Sequence, residues 1–287
     1  MTSQPESPEA SDNIIAFQGE LGAYSHMAAD EKFPSMDVLP CSSFEDALAA
    51  VKKGRARLAM IPIENSTAGR VADIHILLPG SDLNIVGEHF LPIRHCLVGT
   101  QDANETTLKT ATSHVQALGQ CRHALRDMGL AREPFYDTAG SAKHVAALQD
   151  NSVAGISSKL AADIYGLKII RENLQDEGDN TTRFVVLSRD TVDVAALSGQ
   201  LMTSFVFEVK NVPAALYKAL GGFATNLVNM TKLESYYESD SFTATEFYAD
   251  IVGHEGMENV ERAMEELRFH TKRVNMLGTY EAARERA

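Results

Sequence analysis

From Ile14 to about Leu187, short apolar runs alternate with stretches whose apolar residues recur at helical spacing. That alternation is typical of an α/β domain built from successive βα units. In several units a strand-like run ends in a small polar residue, and a helix follows at once. The residues that this pattern predicts as helix N-caps are Ser25, Ser66 or Thr67, Ser113, Ser141 and Ser157. Ser113 together with Gln116 also fits a capping box.

These hydroxyl residues fall where the predicted strands end. In open α/β sheets, ligands bind outside the carboxyl ends of the strands. Helix N-termini present backbone N–H groups there, and such groups suit an anion. The pattern therefore predicts a cleft for a small carboxylate-bearing molecule, in a domain that spans residues 14–190.

The pattern changes after residue 190. Residues 191–202 have mixed polarity and are predicted to be a linker. The next predicted elements are a strand over 203–210, a helix with Pro213 as its first residue, and a hairpin (229–237 and 242–253, turning at Glu238 to Ser241). They are followed by an amphipathic helix over 258–271 and a strand over 273–280. The order βαββαβ is that of the ferredoxin-like α+β unit, which is therefore expected over residues 203–280.

The two ends of the chain are predicted to be tails, a disordered one over residues 1–13 and a short one over 281–287. The first thirteen residues are polar and acidic and do not have the basic-then-apolar order of a signal peptide. No stretch approaches the roughly 18 apolar residues that a membrane span needs. A cytoplasmic protein without membrane association is expected.

Charge and cysteine content restrict the chemistry. The net charge of −13 argues against nucleic acid as a partner, because no basic stripe offsets it. Cys41, Cys96 and Cys121 are too few and too scattered for a disulfide framework or a metal cluster, so reduced thiols are expected. The sequence contains no Walker loop, HExxH motif or cysteine–histidine cluster. No metal and no cofactor are therefore expected.

Five short blocks follow one another between residues 14 and 187. They consist of Gly19, Gly22, Tyr24 and Ser25; Pro62, Ile63, Glu64, Asn65, Ser66 and Gly69; Ser113, His114, Gln116, Gln120 and Cys121; Asp137, Thr138, Ala139, Ser141 and Ala142; and Asn180, Thr182, Arg183 and Phe184. In order and spacing these blocks resemble the signature blocks of prephenate dehydratases. Val115 stands where that family usually has proline.

The resemblance implies a two-lobed α/β catalytic domain, similar to periplasmic binding proteins, that converts prephenate to phenylpyruvate without a cofactor. It implies that Thr182 positions or protonates the departing hydroxyl, and that Asn65 and Gln120 are catalytic amides that orient the substrate. The substrate contacts that it implies are Tyr24, Ser25, Ser66, Thr67, Ser113, Thr138, Ala139, Ser141 and Arg183.

Three alternatives remain open. If residues 181–187 form a strand, Arg183 points away from Thr182, so Arg183 either clamps a substrate carboxylate or forms a salt bridge with Glu64 or Asp137. Arogenate, which carries an amine in place of the keto group, could replace prephenate as the substrate. A non-catalytic sensor of amino acids or carboxylates on the same fold is the alternative from outside enzymes.

Residues 203–280 resemble an ACT domain, through which many dehydratases sense phenylalanine. The resemblance implies L-phenylalanine as effector and a homodimer or homotetramer, with the effector at the interface of paired domains. The effector contacts that it implies are Asn211, Ala214, Ala215, Leu216, Glu234 and Ser235. Ala214 replaces the glycine of the family's PGAL block, and Tyr236 and Tyr237 replace the arginine and proline of its ESRP block.

Overall fold

The computed structural model describes residues 12–237 and 244–286. Most of the expected N-terminal tail and the expected turn at Glu238 to Ser241 lie outside the described residues. Contacts divide the chain into a first unit, Met1–Val71 with His89–Phe184, and a second unit, Ala72–Glu88 with Val185–Ala287. The second unit thus includes a segment, 72–88, that the sequence pattern assigned to residues 14–190.

Strands and helices alternate through the first unit and follow the βαββαβ order after residue 200. The strands are β1 Ile14–Gln18, β2 Asp37–Cys41, β3 Leu58–Asn65, β4 Gly69–Arg70, β5 Asn84–Pro92, β6 Cys96–Gly99, β7 Thr110–His114, β8 Ala131–Phe135, β9 Val153–Ser157, β10 Lys168–Arg171, β11 Thr181–Ser188, β12 Leu201–Val209, β13 Met230–Tyr237, β14 Ala244–Val252 and β15 Thr271–Glu281. The α-helices are α1 Tyr24–Lys32, α2 Phe44–Lys52, α3 Ala72–Leu77, α4 Val115–Gln120, α5 Arg122–Asp127, α6 Thr138–Leu148, α7 Lys159–Tyr165, α8 Ala215–Thr225 and α9 Glu258–His270.

Two sheets account for the two lobes that the sequence predicted. One has the order β2-β1-β3-β11-β5, with β4 paired to β3, and the other has the order β10-β6-β9-β7-β8. Strands β1, β2 and β3 are parallel, as are β7, β8 and β9. Their carboxyl ends therefore share an edge in each sheet, where the polar residues of the five blocks are placed. Continuous buried runs such as Ile15, Ala16 and Phe17 are what strands covered on both faces require.

The predicted helix caps are wrong in detail. The observed N-caps are Ala23 for α1, His114 for α4, Asp137 for α6 and Ser158 for α7. The predicted capping box is not formed either, because the Ser113 hydroxyl donates to the carbonyl of Ile156 at 2.6 Å. The pattern locates these four helix starts to within about a turn, but the local φ and ψ angles decide which residue caps each helix. The predicted cap at Ser66 or Thr67 is wrong, because β4 follows it and the next helix begins at Ala72.

The C-terminal elements form a four-stranded antiparallel sheet of order β13-β14-β12-β15. Both helices pack on one face of it around Phe205, Phe207, Phe223, Met264 and Leu267. β12 begins at Leu201, so the last two residues of the predicted linker are strand. α8 begins at Ala215, so Pro213 lies before the helix and is not its first residue.

Ala214 has a φ of +60°, in the left-handed region that glycine adopts without strain. This is the position at which alanine replaces the glycine of the family block. An L-residue there carries roughly 1–2 kcal/mol of steric strain. Glycine removes that strain, but its larger unfolded-state entropy cancels part of the gain in stability. We expect Ala214→Gly to raise the free energy of unfolding by about 0.5–1 kcal/mol in urea titrations.

A matched control lies in the same helix. Ala224 is exposed within α8, so Ala224→Gly should lower stability by up to about 1 kcal/mol. Equal losses in both variants would contradict the strain at Ala214.

The predicted C-terminal tail is instead held in place. Gln200 and Arg286 exchange hydrogen bonds through the Gln200 amide and the Arg286 backbone. The backbone N–H of Ala283 donates to Glu88 Oε1 at 3.0 Å, and Arg286 Nη2 donates to Glu88 Oε2 at 2.5 Å. Since Glu88 is 0% exposed, its carboxylate needs these donors.

Candidate active site

Asn65 ends β3, and its side chain is oriented by the backbone of the turn that follows. The N–H groups of Thr67 and Ala68 donate to Asn65 Oδ1 at 3.1 and 2.9 Å. Backbone N–H groups can only donate, so the Nδ2 group must lie on the opposite side. From there it donates to Asn180 Oδ1 at 2.7 Å and to Thr182 Oγ1 at 2.9 Å.

The same amide belongs to a closed ring of four side chains. Asn180 Nδ2 donates to Gln120 Oε1 at 3.1 Å, Gln120 Nε2 to Thr67 Oγ1 at 2.8 Å, and Thr67 Oγ1 to Asn65 Oδ1 at 2.8 Å. Every member donates to the next in one direction, an arrangement in which hydrogen bonds polarise and strengthen one another. We call Asn65, Thr67, Gln120 and Asn180 the amide ring.

Thr182, in β11, is attached to the amide ring through Asn65. Its side chain is 8% exposed, and Asn65 Nδ2 is its one hydrogen-bond partner in the part of the chain that the structure describes. The Thr182 oxygen therefore accepts a hydrogen bond, and its own proton is left for another acceptor. An accepted hydrogen bond makes a hydroxyl a better donor.

His95 and Asn180 were not singled out as site residues from the sequence. His95 lies between β5 and β6 and is 2% exposed. Its Nε2 lies 2.9 Å from Gln120 Oε1, and its Nδ1 lies 2.7 Å from the hydroxyl of Tyr24. Burial lowers the pKa of His95, with an opposing effect of the hydrogen bond to Gln120. The fifth block contains Asn180, but no local signal in the sequence indicates His95.

The amide ring borders a pocket of about 380 Å³. Thr67, Gln120 and Asn180 line it, together with Gln116, Gly119, Arg122, His123, Gln175, Asp176 and others. The carboxylate of Asp176 accepts from the backbone N–H of His123 at 3.1 Å and lies 3.9 Å from Arg122 Nε. The pocket therefore has a polar lining of both charge signs beside Gln120.

Arg183 forms one of the two interactions that the sequence left open. Its Nη1 lies 3.0 Å from Glu64 Oε1, and Arg183 itself is 3% exposed. Asp137 does not take part, because its carboxylate caps α6 by accepting from the N–H of Gly140. Burial raises the pKa of Asp137. The ion pair with Glu64 favours a structural role for Arg183 over a substrate clamp.

The Tyr24 and Thr67 hydroxyls bond to His95 and Asn65, and the other predicted substrate-contact hydroxyls divide into two groups. The hydroxyls of Ser113 and Ser141 are fully buried and donate to the carbonyls of Ile156 and Thr138, and Ser66 bridges Asp179 and Thr181. The Ser25 and Thr138 hydroxyls form no hydrogen bond within residues 12–237 and 244–286. Ala139 follows Thr138 in the first turn of α6. Only the second group offers hydroxyls to a ligand as the structure stands.

The first block brings the two sheets of the first unit close together at Gly22. Ser158 Oγ donates to the carbonyl of Gly22 at 2.5 Å. Gly22 has a φ of +87°, and an added Cβ would lie 2.5 Å from Ala161 Cα. Only glycine fits this contact. Tyr24, two residues on, reaches His95 from the same turn.

The described residues contain no group of three or more histidine, cysteine or acidic side chains that could hold a metal ion. None of their helices has the length and apolar character that a membrane span requires. The three cysteines are free and buried, and burial raises the pKa of Cys96 to about 11 and that of Cys121 to about 12.

Comparisons with known proteins identify the family to which the chain belongs. A family model described as prephenate dehydratase matches residues 15–192. A bifunctional N-acyl-homoserine lactone acylase/prephenate dehydratase of Komagataeibacter europaeus is 44% identical over 95% of this chain and 97% of its own length. The chloroplastic arogenate dehydratase/prephenate dehydratase 2 of Arabidopsis thaliana is 41% identical over 77% of this chain. The matched part covers 58% of the length of that relative.

A solved structure is similar over both units. It is described as prephenate dehydratase in complex with L-Phe, from Arthrobacter aurescens. It matches with a TM-score of 0.84 at 28% identity and covers 93% of this chain and 89% of its own.

Proposed function

The chain belongs to the prephenate dehydratase family, and from that membership we propose that it converts prephenate to phenylpyruvate, with loss of carbon dioxide and of the ring hydroxyl as water. The observation that carries the proposal is the hydrogen bond from Asn65 to Thr182, supported by the amide ring. Aromatisation of the ring makes the reaction favourable. The enzyme therefore has to help one hydroxyl group leave.

Thr182 is the group that we assign to the departing hydroxyl. Its oxygen accepts from Asn65, so its proton can be donated to the leaving oxygen as negative charge develops there. A threonine hydroxyl is a weak acid, so stabilisation by a strengthened hydrogen bond is expected rather than full proton transfer. Solvent then supplies the proton that converts the departing hydroxide to water.

Asn65 and Gln120 differ in what they can offer the substrate. Asn65 Oδ1 accepts from the Thr67 and Ala68 N–H groups and the Thr67 hydroxyl, while Nδ2 donates to two side chains. We therefore assign Asn65 the role of positioning Thr182. Gln120 donates one N–H to Thr67, and its second N–H is available to a ligand in the adjoining pocket.

A substrate carboxylate is assigned to the first turn of α6. Thr138 there has a half-buried hydroxyl, and backbone N–H groups at a helix N-terminus favour negative charge. Ser25 offers a second hydroxyl. The cap at Asp137 already occupies part of this helix end, so the hydroxyls are expected to contribute more than the helix itself.

The test is turnover of prephenate and of arogenate by the purified protein, followed by the appearance of the aromatic product. Product from prephenate supports the proposal. Product from arogenate alone would reassign the substrate within the family, whose relatives carry both names. Saturable binding of either compound without product would indicate a sensor and overturn the enzyme assignment.

The similarity to the bifunctional Komagataeibacter europaeus protein favours a second candidate activity, deacylation of N-acyl-homoserine lactones. That similarity extends over 95% of this chain and includes both units. Release of homoserine lactone from an acyl-homoserine lactone by wild-type protein and by Thr182→Ala would support a second, separate activity. No release under conditions in which prephenate is turned over would exclude it.

For the C-terminal elements we infer an ACT-type regulatory role, with phenylalanine bound between paired copies in a dimer or tetramer. The βαββαβ order and the similarity to a prephenate dehydratase described with bound L-Phe support this inference. Asn211, Ala214, Ala215 and Leu216 lie before and at the start of α8, and Glu234 and Ser235 lie in the edge strand β13. Allosteric coupling of this kind is typically about 1–3 kcal/mol.

We expect calorimetry to detect phenylalanine binding to the intact protein in preference to tyrosine or tryptophan. Asn211→Ala should weaken that binding by about tenfold or more, the loss of one or two hydrogen bonds to a zwitterion. Lys218 is exposed in α8, and Lys218→Ala is the control that should bind as wild type does. Phenylalanine that binds Asn211→Ala normally and competes with prephenate would place the effector in the catalytic site instead.

A further inference from the structure

Two side chains outside the assigned mechanism are attached to the amide ring. His95, in the connection between β5 and β6, contacts Gln120 Oε1, and Tyr24, at the start of α1, contacts His95. The rings of Tyr24 and His95 also meet edge to face at 5.4 Å. A buried histidine with a partner at each ring nitrogen has a fixed ring orientation, so the partner at one nitrogen affects the hydrogen bond at the other.

The proton positions follow from the geometry of the amide ring. Gln120 donates through Nε2 to Thr67, so its Oε1 is the atom that faces both Asn180 Nδ2 and His95 Nε2. An amide oxygen only accepts, so His95 Nε2 must carry a hydrogen. In the neutral imidazole Nδ1 is then bare, so the Tyr24 hydroxyl donates to it at 2.7 Å in preference to the carbonyl of Arg94 at 3.1 Å.

We propose that His95, fixed in its Nε2–H tautomer by Tyr24, is a positioning residue that holds the amide of Gln120 in the orientation on which the amide ring depends. The inference rests on the proposed function, because the ring matters for catalysis only if Thr182 acts on the departing hydroxyl.

The amide ring needs two anchors, and His95 supplies the second. The backbone N–H groups of Thr67 and Ala68 fix Asn65 at one end. At the other end Gln120 has no backbone donor to its side chain in the described part of the chain. A reversed Gln120 amide would place its N–H groups against the donors of Asn180 and His95. The low pKa of His95, a result of its burial, keeps the imidazole in the one-proton form that this arrangement uses.

Two conservative replacements separate the donor at Nε2 from the atom at Nδ1. In His95→Gln the side-chain amide reaches about as far as Nε2 and can still donate to Gln120, whereas in His95→Asn it reaches only about as far as Nδ1. We expect His95→Asn to lower kcat about tenfold with KM changed by less than about twofold, the loss of one hydrogen bond that acts on the transition state. His95→Gln should stay within about threefold of wild type.

A purely structural role predicts a different pattern. Both variants would then lose kcat and thermal stability together, and this result would overturn the proposal. Coupling gives a second criterion: in a Gln120→Ala background, His95→Asn should cause no further loss of kcat, because residues that act through one another are not additive. A full additional tenfold loss would also overturn the proposal.

A measurement independent of turnover decides the tautomer. The intact protein, with its nine histidines labelled with ¹⁵N, should show a neutral imidazole with a protonated Nε2 and a bare Nδ1 that is identified as His95 because its signal disappears in His95→Gln. His26 and His114 also accept hydrogen bonds at Nδ1, so their signals should remain in that variant. Tyr24→Phe should shift that Nδ1 signal and leave the other histidines unchanged. An Nδ1–H tautomer would overturn the inference whatever the assay shows, whereas failure of turnover alone would overturn the proposed function.

Discussion

Replacing Thr182 with alanine should lower kcat for prephenate by about 100-fold or more and change KM far less. The hydroxyl accepts from Asn65 and donates, in our mechanism, to an oxygen that gains negative charge only as the C–O bond breaks. An interaction that grows in the transition state appears in kcat when it is lost. Steady-state kinetics with prephenate provide the measurement.

Thr182→Ser is the matched control, because it keeps the hydroxyl and removes a methyl group in a strand. It should retain most of the activity. Asn65→Ala should behave more like Thr182→Ala, since Asn65 acts through the threonine. A Thr182→Ala variant with wild-type kcat would contradict the role assigned to this hydroxyl.

Replacing Arg286 with methionine should lower the free energy of unfolding by about 3–5 kcal/mol at neutral pH. Arg286 is a charged partner of Glu88, which is 0% exposed in the second unit. Removal of this partner leaves the buried carboxylate with less compensating charge. Urea denaturation of the intact protein measures the loss.

Two variants test whether the buried charge is the cause. Arg262→Met removes an exposed i,i+4 partner of Glu258 in α9 and should change stability little, as surface pairs do. Glu88→Gln combined with Arg286→Met removes both charges and should recover much of the loss. A double variant as unstable as Arg286→Met alone would indicate that packing of the C-terminal segment, rather than charge, is responsible.

The hydrophobic pattern by itself determined the kinds of element and their order. Alternation of apolar runs and helical spacing predicted the α/β first unit, and the change after residue 190 predicted the βαββαβ order. Burial follows the periodicity of side chains along each element, so this information is local and can be read from neighbouring residues. The hairpin of β13 and β14 was predicted for the same reason.

The sequence also indicated the residues to which we assign roles in the site, since Asn65, Gln120 and Thr182 all lie in blocks that resemble those of the family. Their partners were not determined. The bond from Asn65 to Thr182 joins residues 117 positions apart, and that from Gln120 to Thr67 joins residues 53 apart. Hydrogen bonds require distances within a few tenths of an ångström, which no pattern along the chain specifies.

Tertiary structure alone therefore decided several points. It joined His95 to Gln120, paired Arg183 with Glu64, and turned the hydroxyls of Ser113 and Ser141 toward backbone carbonyls. It also placed residues 72–88 in the second unit, although in sequence they lie between two parts of the first. The reason is the same in each case: a polar or buried group takes the partner that the folded chain brings within reach, and that partner is distant in sequence.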